Sequence, residues 1–250
     1  MGLRGCFKVA EKDYFEISYK MIKKIEETQV DKIKEAGKLV ADSLMKGGIL
    51  HLFGTGHSHM LVEELFSRAG GLVAVNPILP SALMLHENAV RGTLLERVKG
   101  IAANILMTER VKKGEVLVIF SASGGNAVPV EMAEVGKSLG LKIVAITSIK
   151  HSRSKDARGR GRMLSELADV VIDNCGLPGD AALKVEGLPT NICATSTLSG
   201  VVIVQSIVFY AVKDMLRKGF KPDVFLSANL ANSDEYNARL LKKYEGRIKM

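Results

Sequence analysis

Five short apolar runs, at residues 49–53, 72–75, Val116–Phe120, Lys142–Thr147 and Val170–Asp173, limit what this chain can fold into. Each is of strand length, and polar loops and helical patterns separate them. Because the runs do not alternate apolar with polar, they predict strands buried on both faces, as in parallel sheets. Parallel strands need crossover connections, so the expectation is an α/β fold with helices on both sides of one parallel sheet. Ligands in such sheets bind at the carboxyl ends of the strands.

Helical spacing fills the intervals. Tyr14, Ile17, Met21, Ile25, Ile33, Val40 and Leu44 recur at three, four and seven between residues 11 and 46, which predicts one or two amphipathic helices ahead of the sheet. Further helical patterns run through Leu94, Val98, Ile101 and Ile105, then 127–139, 195–218 and 233–247. The chain therefore divides into an N-terminal helical segment, 1–48, packing on the core or on a partner subunit, and a main domain, 49–250. With 250 residues, 47% hydrophobic and 25% charged, it can bury one large core. The apolar stretch 198–212 is broken by Ser199, Gln205 and Ser206, short of the roughly 18 to 20 apolar residues of a bilayer span. No signal-peptide pattern opens the sequence, and Cys6, Cys175 and Cys193 form neither a disulfide framework nor a metal motif. A cytoplasmic protein without membrane partners is expected.

The loops after the strands carry the chemistry. Val116–Phe120 leads into Ser121-Ala122-Ser123-Gly124-Gly125-Asn126 and then a helix. Hydroxyls, an amide and backbone N–H groups at a helix N-terminus suit a phosphate, although Ser, Gly and Asn also serve as ordinary caps. The loop has neither GxxxxGK[ST] nor GxGxxG, which disfavours ATP and NAD. Gly54-Thr55-Gly56-His57-Ser58-His59 follows the first strand in the same way, and Thr195-Ser196-Thr197 opens the long penultimate helix. Three such loops on one sheet edge point to a polyhydroxylated anionic ligand.

These segments resemble the sugar isomerase (SIS) domain family: residues 53–59, 121–126 and 195–197, in this order and separated by helices. With Leu83-Met84-Leu85-His86-Glu87 and Asp173, Asn174, Gly179 and Asp180, the chain is most similar to an uncharacterised single-domain bacterial subfamily labelled phosphosugar isomerases. The resemblance covers nearly the whole chain. It implies a three-layer α/β/α sandwich with a five-stranded parallel sheet, assembled as a homodimer or homotetramer with sites near subunit interfaces. Carried over by motif, Ser121, Ser123, Gly124 and Asn126 resemble the phosphate loop, and Thr55, Gly56 and Ser58 the second sugar-contacting loop, with Thr195, Ser196 and Thr197 as the third cluster. Phosphoheptose isomerases of the family carry a His and a Glu on the helix after the first loop, and a Gln and a His after the hydroxyl cluster. Counted without gaps, this chain has Glu64 and Arg68 at the first pair, and Val201, Val202 and Val204 near the second, a departure from the heptose enzymes and their metal.

The function expected is a phosphosugar isomerase acting between aldose and ketose, or a related lyase or etherase; the alternative is a phosphosugar-binding sensor without turnover. Either reaction removes a proton beside a carbonyl, which needs a base with its pKa near working pH. Glu87, beside His86 in an apolar segment, is the first choice as base and Glu64 the second, with His57 or His59 as the acid. A metal held by His57, His59 and His86 or Glu87 is conceivable by ligand type, but no helical ligand spacing or thiolate cluster supports it, and no cofactor is expected. The net charge of +8 fits an anionic ligand. Six cations between residues 150 and 162 lack interleaved aromatics and read as a mobile surface loop rather than a nucleic-acid interface.

Overall fold

The computed structural model describes residues 13–154 and 161–249. Cys6 and the central part of the cationic loop lie outside the described residues. The described residues open with α1 (Tyr14–Leu44), a single helix whose N-cap Asp13 accepts the N–H of Glu16 at 2.8 Å. It ends at Gly47, where φ is +74°. A five-stranded parallel sheet follows, built from β1 (Leu50–Gly54), β2 (Val75–Ile78), β3 (Val116–Phe120), β4 (Lys142–Thr147) and β5 (Val170–Asp173), in the order β2-β1-β3-β4-β5. The connections carry α2 (His59–Leu65), α3 (Leu85–Leu95), α4 (Ile101–Thr108), α5 (Ala127–Ser138), α6 (Ile149–Ser152) and α7 (Leu164–Leu167). An antiparallel hairpin, β6 (Ala181–Leu183) with β7 (Ile192–Ala194), precedes α8 (Ser196–Arg217) and α9 (Ser233–Lys243).

The strands are apolar throughout because each face has its own helical layer. Leu50, Leu52, Val116, Val118, Phe120, Val144 and Ile146 pack with Met21, Ile25, Ile33 and Val40 of α1 and Ile203, Val204 and Ile207 of α8. Their neighbours Phe53, Leu117, Ile119, Ile143 and Ala145 point the other way, against Ala102 and Leu106 of α4 and Val128 and Met132 of α5. The result is the three-layer α/β/α arrangement. α1 lies along α8 so closely that a Cβ on Gly37 would stand 2.9 Å from Cβ of Tyr210. By length and composition α8 could cross a bilayer, which the broken stretch at 198–212 does not suggest; here Ser199, Gly200, Ile203, Val204, Ile207 and Ala211 of α8 are buried.

Three local expectations are corrected. The second strand is Val75–Ile78, not 72–75: Leu72 forms an isolated antiparallel bridge with Val224, and β2 occupies the sheet edge, where Pro77 is tolerated. The spacing Leu94, Val98, Ile101, Ile105 is split between α3 and α4 at Gly100, whose φ is +89°, and Leu94 and Val98 are exposed. The β6–β7 hairpin was not anticipated; its strands are three residues each, β6 half-buried and β7 exposed.

Candidate functional site

The loops leaving β1, β3, β4 and β5 at their carboxyl ends meet the N-terminus of α8 around a cleft of about 360 Å³. Its floor is the turn after β3. Ser121 is buried, and its Oγ accepts the N–H of Gly124 at 3.1 Å, folding the loop back on itself. Gly124 sits at φ +65°, and a Cβ there would lie 2.7 Å from Oγ1 of Thr147, so both backbone and space require glycine. With the loop so folded, the N–H groups of Ser123, Gly125, Asn126 and Ala127 have no acceptor among the described residues. They stand at the N-terminus of the twelve-residue α5. That end of a helix favours an anion, through its dipole and its unpaired donors together.

One side of the cleft holds a carboxylate. Glu96 caps the carboxyl end of α3, and both of its oxygens are used: Thr55 Oγ1 donates to Oε2 and Asn126 Nδ2 to Oε1, each at 2.9 Å. The backbone carbonyl of Glu96 also accepts the N–H of Val128 at 3.0 Å, which ties α3 to α5. Burial pushes the Glu96 carboxyl above its ordinary range, while the Thr55 hydroxyl and the Arg97 charge pull it down. Among the described residues that line the cleft there is no Lys or Arg.

The other side comes from the loops after β4 and β5. Ser148 caps α6, accepting the N–H of His151 at 3.2 Å and donating to the carbonyl of Gly176 at 2.7 Å. The N–H of Gly179 donates to Nδ1 of His151 at 3.1 Å. Asp180, at φ +65°, accepts from Thr195 N at 3.0 Å, Ser196 N at 2.8 Å and Ser196 Oγ at 2.6 Å. Its carboxylate thus closes the base of the hairpin and caps α8.

Of the residues singled out from sequence, Thr55, Gly56, His57, Ser58, Ser121, Ser123, Asn126 and Ser196 line this cleft, and Thr197 lines a smaller cavity that shares His57, Ser58, Ser121 and Ser196 with it. The rest stand elsewhere. Thr195 is fully buried behind Asp180. Glu87 is exposed, 3.6 Å from Arg91 one turn on, so the desolvated carboxyl expected there is absent; His86 is exposed beside it. Glu64 accepts from Gln205 of α8 at 2.8 Å and from Arg68 at 2.9 Å and does not line the cleft. His59 is buried, its Nδ1 bonded to the carbonyl of Gly56, and its ring packs 5.5 Å from that of His86. Thr55 and Asn126, expected to hold a ligand, spend their side chains on Glu96. Reading by motif named Asn174 without giving it a place in the site, and missed Glu96, Thr93, Ser148 and His151. Ser148 and Asn174 could have been found as the first polar residues after the fourth and fifth strand runs; nothing local marks Glu96.

A parallel sheet with hydroxyl-rich loops and two helix N-termini at its carboxyl edge is the architecture of a domain that takes a small anionic ligand. The model of the SIS domain matches residues 13–148, more than half the chain. A UPF0309 protein of Listeria innocua is 42% identical over 237 residues, covering 94% of this chain and 96% of its own. The chain belongs to the SIS-domain family. Among solved structures, a phosphoheptose isomerase from Francisella tularensis aligns with a TM-score of 0.53 at 16% identity, over 80% of this chain and 95% of that one. The Vibrio vulnificus NanR protein complexed with ManNAc-6P aligns at 0.50 and 15%, over 94% and 71%. At these identities the two share the fold.

Proposed function

We propose that this protein is an enzyme that binds a sugar monophosphate in the cleft and moves a proton beside the sugar's carbonyl, as in aldose–ketose isomerisation. The phosphate takes the free N–H groups of Ser123, Gly125, Asn126 and Ala127 and the hydroxyls of Ser121 and Ser123. Glu96 is the observation that carries the reading: among the described residues it is the one cleft carboxylate besides Asp180, and Asp180 is consumed in capping α8. A carboxyl held above its ordinary range by burial is suited to accept a proton from carbon and return it to the neighbouring carbon. Elimination in a lyase or etherase begins with the same abstraction. Family membership and the sugar phosphates named with its structural neighbours support the ligand class. In this reading the protein works in the cytoplasm, as a homodimer or homotetramer.

One observation favours a binding module without turnover: both oxygens of Glu96 already accept hydrogen bonds. A thermal-shift screen against sugar phosphates from tetrose to heptose tests the binding half, since a ligand of the folded state raises the midpoint. Ser121→Ala with Ser123→Ala should abolish the shift while leaving the unliganded midpoint within a few degrees. If no sugar phosphate raises the wild-type midpoint, the proposal fails. If one binds and is not turned over, the sensor reading replaces the enzyme.

A further inference from the structure

His151 is held in a way that the binding of a phosphate does not explain. It stands one turn into α6, and its backbone N–H is fastened to Ser148 Oγ. Its ring receives the N–H of Gly179 on Nδ1 at 3.1 Å. A backbone N–H can only donate, so Nδ1 carries the lone pair and the ring proton sits on Nε2. Gly179 is at φ +77°, on the turn whose next residue, Asp180, is locked to α8 by three bonds of 3.0 Å or less. The donor that fixes the tautomer is therefore itself fixed. Nε2–H has no acceptor among the described residues, and the ring lines the cleft.

Sheet order relates this group to Glu96. Glu96 is bonded to the loops after β1 and β3, while His151 and its partner Gly179 follow β4 and β5. The two groups are thus tied to loops on either side of the phosphate loop of the central strand. A sugar chain between them can present its reacting carbon to one and its carbonyl oxygen to the other.

We propose that His151 is a catalytic electrophile, a neutral imidazole whose Nε2–H donates to the carbonyl oxygen of the sugar phosphate. This rests on the enzyme reading above. Glu96 takes the proton from the carbon beside the carbonyl; the C–H pair becomes the C=C bond, and the carbonyl π pair moves onto oxygen. The Nε2–H bond holds that charge. The proton of the adjacent hydroxyl then crosses to the charged oxygen, and Glu96 returns its proton to the former carbonyl carbon. A donor fixed before the charge develops is worth most to the enediolate and little to the ground-state sugar.

Phosphorylated aldonohydroxamates, which mimic the enediolate, separate these roles when titrated from tetrose to heptose beside their parent ketose phosphates. His151→Asn offers an oxygen where Nδ1 accepts from Gly179 and has nothing at Nε2; His151→Gln offers an amide donor near Nε2. Wild type should prefer one hydroxamate over its parent sugar. His151→Asn should lose roughly tenfold to a hundredfold of that preference, the worth of a hydrogen bond to a charged group, with a smaller loss for the parent sugar, and His151→Gln should keep part of it. Retained preference in the Asn variant, or an equal loss for hydroxamate and parent, overturns the assignment and leaves the enzyme reading standing. If wild type binds parent sugars with no hydroxamate preference, or binds none, both fall.

Discussion

Replacing Glu96 by Gln keeps the side chain's size, and the Thr55 hydroxyl and Asn126 amide can both turn to suit an amide. Packing at the carboxyl end of α3 should survive, so two consequences can be read cleanly. The first is catalytic. A general base contributes typically 10²–10⁴-fold, about 3 to 5 kcal/mol of barrier at 1.36 kcal/mol per decade, and an amide cannot replace it. With the sugar phosphate that raises the midpoint, wash-in of deuterium at the carbon beside the carbonyl should fall by about that factor, with Kd nearly unchanged. The second is a pH-dependent change in stability, and its sign follows from burial. Because burial raises the folded carboxyl above its ordinary value of 4.5, with Thr55 and Arg97 partly opposing, the folded state binds the proton more tightly than the unfolded state. The stability this confers is complete below 4.5 and is lost as pH rises through the raised value. Gln never ionises and loses nothing. The Tm of Glu96→Gln should therefore match wild type at low pH and exceed it increasingly as pH rises. Exchange above a tenth of the wild-type rate would refute Glu96 as base, and a Tm difference that narrows with rising pH would refute its burial as the cause.

At the opposite edge of the sheet, buried Glu115 accepts from Ile49 N at 3.0 Å, Lys112 N at 2.7 Å and His51 Nε2 at 2.8 Å, and pairs with Arg247. Glu115→Ala should cost about 3–5 kcal/mol, the range for breaking a buried ion pair, and lower Tm by roughly 6–20 °C, with sugar phosphate affinity preserved; a shift under about 2 °C in a melting curve would contradict this. Burial opposes ionisation of Glu115, but His51, the Lys112 N–H and Arg247 outweigh it and hold the carboxyl below its ordinary value; its contribution is present above pH 4.5 and is lost as pH falls through the lowered value. The exposed side chains of Phe15, Tyr19, Val90, Met107 and Phe209 fit a chain that assembles with copies of itself, so light scattering at micromolar concentration should give a dimer or tetramer mass, and a monomer mass would exclude assembly.

The layers were legible because burial on both faces leaves a continuous apolar run, and four of the five strands announce themselves that way. β2 did not. Asn76 and Pro77 interrupt its run: the place at the edge accommodates Pro77, and buried Asn76 is satisfied by donating to Glu109 at 2.9 Å. The phosphate loop was legible because its chemistry is local: hydroxyls, glycines and a helix start lie within six residues. The carboxylate was not, because Glu96 reaches the cleft through bonds to Thr55 and Asn126, 41 and 30 residues away, in a stretch whose spacing reads as one uninterrupted helix. Glu87 looked better for the opposite reason. Apolar neighbours in sequence suggested desolvation, yet Leu83 and Met84 turn inward while Glu87 turns out to Arg91.

The same geometry accounts for a cleft that favours an anion without Lys or Arg among its described lining residues. α5 directs an N-terminus with unpaired N–H groups at it, whereas that of α8 is already taken up by the Asp180 carboxylate. Glu96 lies instead at the carboxyl end of α3, where burial raises its carboxyl above the ordinary range. A ligand therefore meets positive potential at one end and a reluctant carboxylate at the other. Cations in place of the helix termini would bind phosphate as well, but they would also stabilise ionised Glu96 and draw its pKa down, weakening it as a base. Binding through backbone N–H groups keeps the two demands apart, so a cleft without Lys or Arg among its described lining residues suits proton transfer as well as binding.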